Sequence, residues 1–461
     1  MASNTSITQA SAVDETPERD DGASPIELAI PAESLGKLHT QSGTGDYQLS
    51  LTGVVSASLL QNPDLVAARG QEQVSVAAQG VAETYPWNPF VQSQLLPGTG
   101  GDNSTQTSYY FWLMQRFELA HQQRYREEAA TALLNQVRWN IHQAELLNVA
   151  QTARLYFAAQ YQSELYRLAN ETAELNEKLL GVVQRRFKAG LATSAAVTTA
   201  EVAARQSRRQ AHLADATYQT AVLAVRQQLN LPVNMPLSMS ERLSDYEWHA
   251  VTSLEVGTDA RSLTTGDSAS LAAELASGRP DVLAAQSGVS VAFANAELAN
   301  AARMPDIQAG PILNTFPNGA ETLGVRFQMD LPIWNSGKPL AHQRQVEQRQ
   351  QALVYEQLRT RATLEAQMAI DRYERARRLA QESQVDLSPI ADNPPPDLQS
   401  IITQFDAGQA DVLAVFATQT SLLQDRRTYL DLLNELAQSA AGVVQATAVP
   451  LDRLITHPIV E

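Results

Sequence analysis

The sequence predicts a mainly α-helical chain with a small β part, in which a helix, strand, strand, long helix, helix unit occurs twice. Three observations carry that prediction. Short motifs recur in one order about 217 residues apart, apolar positions keep a coiled-coil spacing through very long stretches, and strand-like alternation is confined to four segments.

The duplication rests on three matches. Asn62-Pro63-Asp64-Leu65-Val66-Ala67-Ala68 echoes Arg279-Pro280-Asp281-Val282-Leu283-Ala284-Ala285. Leu119-Ala120-His121-Gln122 is repeated as Leu340-Ala341-His342-Gln343, and Phe187-Lys188-Ala189-Gly190-Leu191-Ala192 returns as Phe405-Asp406-Ala407-Gly408-Gln409-Ala410. They divide the chain into a leader (1–50), a first repeat (51–230), a linker (231–265), a second repeat (266–445) and a tail (446–461). The leader is polar, carries Pro25 and Pro31, and reads as disordered. It contains no apolar signal-peptide core, which for an exported chain implies a start upstream or a trimmed, mature form.

In the first repeat an Ala-rich helix is expected over 52–84, ended by Tyr85-Pro86-Trp87-Asn88-Pro89. A β-hairpin over 90–117 follows, with a strand from Phe90 to Leu96 and another from about Gln106 to Phe117. A long helical hairpin then fills 119–230. The second repeat is expected to place a helix over about Asp267 to Arg303, a hairpin over 306–333 turning at Phe316-Pro317-Asn318-Gly319, and a helical hairpin over 338–445. Ser388-Pro389 through Pro394-Pro395-Pro396 must interrupt that second long helix.

The helices announce themselves by period. Tyr161, Leu165, Leu168, Thr172, Leu175, Leu179 and Val182 alternate steps of four and three, a coiled-coil seam, and no Pro or Gly falls between residues 120 and 180. A helix from His121 to Phe187 would be about 100 Å long at 1.5 Å per residue, far beyond a globular domain. Ala211, Ala214, Tyr218, Ala221 and Val225 continue the seam on the returning helix, with small residues that permit close approach.

The last strand sets Leu323, Val325, Phe327, Met329 and Leu331 on one face against Gly324, Arg326, Gln328 and Asp330 on the other. In a barrel the first set (Leu323, Val325, Phe327, Met329) meets lipid and the second (Arg326, Gln328, Asp330) faces a watery lumen. Trp87 and Trp334 flank the strands at one end, where aromatic rings favour the lipid–water boundary.

Composition narrows the function. The net charge of −16 offers no basic patch for nucleic acid. The chain has no cysteine, hence no disulfide, thiolate metal site or lipid-modified N-terminal Cys. No run of about 18 apolar residues exists for a transmembrane helix, a requirement that strands of about 9 to 11 residues escape. No phosphate-binding loop, His-x-x-x-His helix or nucleophile elbow occurs, so neither an enzyme nor a bound cofactor is expected. His121 and His342 fall at matching motif positions but have no ligand partner at i+3 or i+4, and read as plain helix-start residues. Arg372 to Arg378 reads as a solvated helix face.

The duplicated unit, the paired Phe-x-Ala-Gly-x-Ala turns and Leu229-Asn230-Leu231-Pro232 together resemble the TolC-type outer-membrane efflux family over about residues 50 to 445. Met304-Pro305-Asp306-Ile307-Gln308-Ala309-Gly310 and Leu331-Pro332-Ile333-Trp334-Asn335-Ser336-Gly337 look most like its heavy-metal-efflux, CzcC-like branch. The resemblance implies a homotrimer in the outer membrane of a Gram-negative-type bacterium. Four strands from each protomer would complete a shared twelve-stranded barrel, and the helices would form a periplasmic tube. The channel would conduct small solutes passively, metal ions or drugs, from a periplasmic adaptor and an inner-membrane pump. The adaptor would meet the helix tips at Phe187, Ala189, Gly190, Phe405, Ala407 and Gly408. Family members often carry acidic residues about six and nine positions after the tip glycine, where this chain has Ala414 and Ala417. Asp411 is therefore the candidate aperture residue. The rival expectation is a soluble or periplasmic coiled-coil scaffold or adaptor.

Overall fold

The structure, a computed structural model, describes residues 47–99, 105–232, 237–239, 241–251, 268–316, 318–387, 396–407 and 409–456. The expected leader up to residue 46, part of the linker and Gly408 lie outside the described residues. The chain enters through strand β1 (Tyr47–Leu49) and runs α1 (Leu51–Gln61), α2 (Pro63–Glu83), β2 (Phe90–Thr99), β3 (Thr105–Phe117), α3 (Gln122–Lys188) and α4 (Ser194–Gln228). After β4 (Leu237–Met239) and β5 (Glu247–Trp248) the order returns. It continues as α5 (Ser268–Ser277), α6 (Pro280–Ala301), β6 (Ile307–Thr315), β7 (Glu321–Met329), α7 (Lys338–Glu382), α8 (Pro396–Asp406) and α9 (Val412–Thr447), then α10 (Leu451–Leu454) and β8 (Ile455–Thr456).

Each repeat opens with two helices where the composition suggested one. The break is the repeated motif itself. Pro63 and Pro280 have no N–H to continue a helix but suit the first turn of a new one. Asn62 caps α2 by accepting from the amides of Asp64 and Leu65 at 3.0 and 3.3 Å. Its counterpart Arg279 makes no such cap. Instead its buried guanidinium grips Asp281 at 2.7 Å and Glu365 at 3.0 Å, tying α6 to α7. The Leu-Ala-His-Gln pair is not equivalent in space. His121 precedes α3, whereas His342 lies inside α7, and the residue holding the matching N-cap position is Gly337. His121 and Gly337 share a left-handed backbone, φ 58° and 69°.

Helix α3 runs 67 residues without a break, about 100 Å at 1.5 Å per residue. In the second repeat α7 stops after 45 residues at Glu382 and α8 adds 11, with the Pro-rich segment 388–395 outside the described residues. The seam of α3 packs on α4 through small residues: Ala200, Ala204, Ser207 and Ala211 are all buried on α4. Val415, Gln419, Arg426, Leu430, Leu433, Ala437, Ala440 and Val444 form the corresponding stripe on α9. Asn230 ends α4 in the left-handed region (φ 53°), with Leu231 N–H bonded to Arg226 O and Asn230 N–H to Gln227 O. That is the Schellman cap, and it is what Leu-Asn-Leu-Pro encodes.

The largest core sits around the middle of α3, where the segments read as linker and tail wrap the helices. β1 pairs with β4 and β5 pairs with β8. Tyr156 and Phe157 of α3, both fully buried, meet Tyr246 and Trp248 in a ring cluster, with Phe157 5.8 Å from Tyr246 and 5.9 Å from Trp248. Glu241 anchors it: one carboxylate oxygen accepts from Leu51 N–H at 3.1 Å, Tyr156 O–H at 3.1 Å and Tyr246 O–H at 2.5 Å. Burial, with the nearby Glu241 charge, pushes both phenols far above the usual tyrosine range. Tyr373 of α7 donates to His249 O at 2.7 Å, and His249 N–H donates to Leu454 O at 2.9 Å. The belt thus joins the two ends of the described chain to both repeats.

Candidate functional site

The residues singled out in the sequence gather at two ends of the long helices, the sheet at one and the paired turns at the other. The sheet is antiparallel with strand order β2-β3-β6-β7, so each hairpin of the duplicated unit contributes two strands and β3 pairs with β6 at the junction. Phe111 opposes Leu313, Leu313 opposes Leu323, and Pro311 opposes Val325 on one face. That face is apolar and open to solvent in the protomer: Leu323 is 78 %, Val325 66 % and Phe327 73 % exposed. β2 and β7 are edge strands, without a further strand partner among the described residues.

The opposite face carries Gln92, Gln94, Tyr110, Trp112, Met114, Asn314, Gln308, Arg326 and Gln328. Arg326 lies there as its spacing predicts, and Gln328 is within 3.4 Å of its guanidinium. Gly310 is required by contact, since a Cβ there would lie 1.8 Å from the Leu113 carbonyl oxygen. Trp87 and Trp334 fall at the helix end of the sheet. The guanidinium of Arg116 covers the Trp87 ring at 3.9 Å and Glu118 accepts its indole N–H at 3.2 Å, whereas Trp334 is 98 % exposed. Among the described residues no helix is long and apolar enough to cross a membrane.

At the other end, the first turn is a Schellman cap. Gly190 has φ 75°, its N–H bonds Phe187 O at 2.9 Å, and Leu191 N–H bonds Arg186 O at 2.8 Å. In the second turn Gln409 N–H bonds Gln404 O at 2.8 Å, the same five-residue reach. Thr193 and Asp411 hold equivalent N-cap positions: Thr193 accepts from Ala196 N–H, and the Asp411 carboxylate accepts from Val412 N–H at 2.7 Å. The two phenylalanines of the repeated motif differ. Phe187 is 47 % exposed, whereas Phe405 is 6 % exposed under Arg186, whose guanidinium lies 4.5 Å from its ring centroid and donates to its carbonyl oxygen. Leu179, Val183, Ala200, Val412 and Val415 complete a small core between the hairpins.

No family model matches the chain. The pyoverdine export outer membrane protein OpmQ of Pseudomonas putida is 25% identical over 414 residues, covering 82% of this chain and 81% of that protein. Among solved structures, CusC, described in terms of transmembrane channel formation, superposes with a TM-score of 0.65 at 18% identity, covering 88% of this chain and 95% of that one. The open-state MtrE outer membrane channel of Neisseria gonorrhoeae gives 0.64 at 19% identity, covering 87% and 89%. This is the fold of the TolC-type outer-membrane factors.

Within the TolC-type fold, the expectation of a mainly helical chain with a small sheet holds. Residues that sequence reading passed over also stand out. Trp112 and Met114 were absorbed into a strand of mixed pattern, yet they are the buried side chains of the sheet, 6 % and 3 % exposed. Arg186 sits in a run of charge beside the tip motif, and only its position across from Phe405 distinguishes it from Arg185. Glu241 lay in a segment read as linker. The closely spaced Tyr246 and Trp248 just after it, in an aromatic-poor chain, were the available signal.

Proposed function

We propose that this chain is one protomer of a homotrimeric outer-membrane channel, the outer component of a tripartite efflux system. It conducts small solutes passively from a periplasmic adaptor and inner-membrane pump to the exterior. The observation that carries this reading is the four-stranded sheet with an exposed apolar face and two open edges. In lipid an open strand edge leaves backbone groups unpaired at several kcal/mol each. Joining β7 of one copy to β2 of the next gives twelve strands and removes every edge. In this arrangement Leu323, Val325, Phe327 and Met329 face lipid while Arg326, Gln328 and Asp330 face the lumen.

At the far end, the turns around Phe187, Ala189, Gly190, Ala407 and Gly408 meet the adaptor. Phe405 becomes available only when Arg186 lets go of it, so the clasp between hairpins belongs to the closed tip. Asp411 caps α9 and presents its carboxylate at the same level, where three copies would line the aperture. A passive conduit of this kind needs no catalytic residue. The scaffold alternative is disfavoured by the lipid-like face, which a soluble protein would have to cover.

OpmQ is named for pyoverdine export, which supports a small organic solute as the first cargo to test. Metal ions, suggested by the Met304–Gly310 and Leu331–Gly337 segments, come second. The test is extraction of the exported full-length protein. It should require detergent, run as a trimer and conduct in a planar bilayer, and its deletion should change resistance to, or secretion of, a defined solute. A soluble monomer would overturn the proposal.

A further inference from the structure

We propose that Tyr110, Trp112 and Arg326 of each protomer form a contact site for an aromatic anion inside the barrel. The inference rests on the barrel reading, because it takes the face opposite the apolar one as the lumen wall.

The rings of Tyr110 and Trp112 stack with centroids 6.0 Å apart and planes 14° from parallel. Arg326 reaches the same place from β7, its guanidinium carbon 5.1 Å from the Trp112 ring centroid, although β6 lies between the two strands. The crossing is possible because Arg326 opposes Gly310 on β6, which places no side chain in the way. Gly324, opposite Ile312 on the same face, keeps the neighbouring row low as well. Both glycines therefore serve one geometry: a cation laid across two strands onto an aromatic wall.

Arg326 and Trp112 are donors only, while on the same face Asn314 Oδ1, in register with Tyr110, is a buried acceptor with no partner among the described residues. A guanidinium has five N–H donors and no acceptor, and an indole has one donor and no acceptor. Gln328 Oε1 takes one guanidinium N–H at 3.4 Å. The Trp112 indole N–H, on a side chain only 6 % exposed, has no hydrogen-bond partner among the described residues. Trp87, by contrast, has Glu118 to accept its N–H. A donor-rich pocket beside stacked rings is satisfied by an oxygen-bearing anion with a flat π face.

Charge supports the sign. The four strands contain three charged residues, Arg116, Glu321 and Arg326. Glu321 opposes Thr315 in register with the apolar face, and Arg116 is stacked on Trp87 at the helix end. Arg326 is thus the charge in the middle of the inner wall of a chain whose net charge is −16. Threefold symmetry sets three such sites around the lumen.

The experiment uses the full-length trimer in a planar bilayer, with 1-naphthoate, cyclohexanecarboxylate or 1-naphthylmethylammonium added on the barrel side. Naphthoate should interrupt the current at concentrations about tenfold lower than either control, since only it combines a negative charge with an aromatic ring. Arg326→Gln and Trp112→Leu should each remove that advantage, and Arg326→Gln should also move the reversal potential in a KCl gradient toward cation selectivity. If Trp112→Leu does not assemble, Arg326→Gln decides alone. Equal block by all three probes, or block unchanged in Arg326→Gln, overturns the site and leaves the channel standing. A protein that forms no conducting trimer overturns the channel reading and this inference together.

Discussion

Replacing Glu241 by alanine tests the belt most directly. Its carboxylate oxygen is the acceptor for Leu51 N–H, Tyr156 O–H and Tyr246 O–H. Tyr156 keeps a second acceptor in Leu49 O at 2.8 Å, so the variant orphans the Leu51 N–H and takes from the Tyr246 O–H its acceptor at 2.5 Å. Both residues are buried, 8 % and 7 % exposed. An orphaned buried donor costs roughly 1–3 kcal/mol, so the belt should lose about 3 kcal/mol, with part of the upper range recovered by water entering the space. Hydrogen exchange reads this locally. The amide of Leu51 should exchange on the order of 100-fold faster in the assembled trimer, since each 1.4 kcal/mol is a factor of ten. Glu241→Gln retains an acceptor oxygen and should show a change of about tenfold or less. If exchange at Leu51 to Val54 rose less than about threefold in the alanine variant, the carboxylate would not be what fastens β1 and α1 to the belt.

Other consequences are open to measurement. Ala448 closes α9 at φ 57° where Asn230 closes α4, so Ala448→Gly should stabilise the protein by about 0.5–1 kcal/mol in thermal unfolding, whereas Gly337→Ala, at φ 69° and with its Cβ 2.9 Å from Arg303 Cγ, should destabilise it. Arg186→Ala removes a cation–π contact and a hydrogen bond worth about 1–2 kcal/mol together, and should raise single-channel open probability roughly 5- to 30-fold; unchanged gating would remove the clasp from the mechanism. In the barrel proposed above, Phe327→Lys would place a charge on the lipid face at about 2–4 kcal/mol and should abolish heat-resistant trimers, while Gln328→Lys on the inner face should leave them intact. Burial, reinforced by Asp431, pushes the Tyr161 phenol up to about 12. A raised pKa means that the neutral phenol's contribution is complete below the ordinary tyrosine value of about 10 and is lost as pH rises through about 12. A 295 nm titration of Asp431→Asn against the parent should show one tyrosine moving back toward 10, and coincident curves would dissociate the pair.

What was legible in the sequence was whatever repeats with a period. The seam of α3, the alternation of β7 and the turn at Gly190 are dictated by local rules, and the structure has each of them. Pro63 and Pro280 were visible as a repeated motif, yet their meaning as helix starts was missed, because an Ala-rich flank on each side hides a break one residue wide. Leu-Ala-His-Gln misled for the opposite reason. Four identical residues outweighed the backbone equivalence of His121 with Gly337, which identity cannot report. The belt was hidden because β1, β4, β5 and β8 are two or three residues long, too short for any period, and are held by long-range contacts such as Tyr156 with Leu49. Trp112 and Arg326 were each readable as strand residues. Their meeting across β6 depends on Gly310 and on the register, which become visible only in three dimensions.

The belt has a mechanical consequence. It grips α3 around Tyr156 and Phe157, and some thirty residues of helix run on from there to Lys188, packed on α4 and clasped at the tip, a lever of roughly 45 Å at 1.5 Å per residue. A tilt of about 5° about that fulcrum would sweep the tip through roughly 4 Å while the sheet beyond the grip stays still, so an opening pulled from one end need not be felt at the other. Because α7 stops at Glu382 whereas α3 runs on to its tip, the second arm lacks the continuous helix of the first. A continuous helix is the stiffer lever, so in the proposed trimer a force applied evenly around the ring would bend the hairpins built on α7 first.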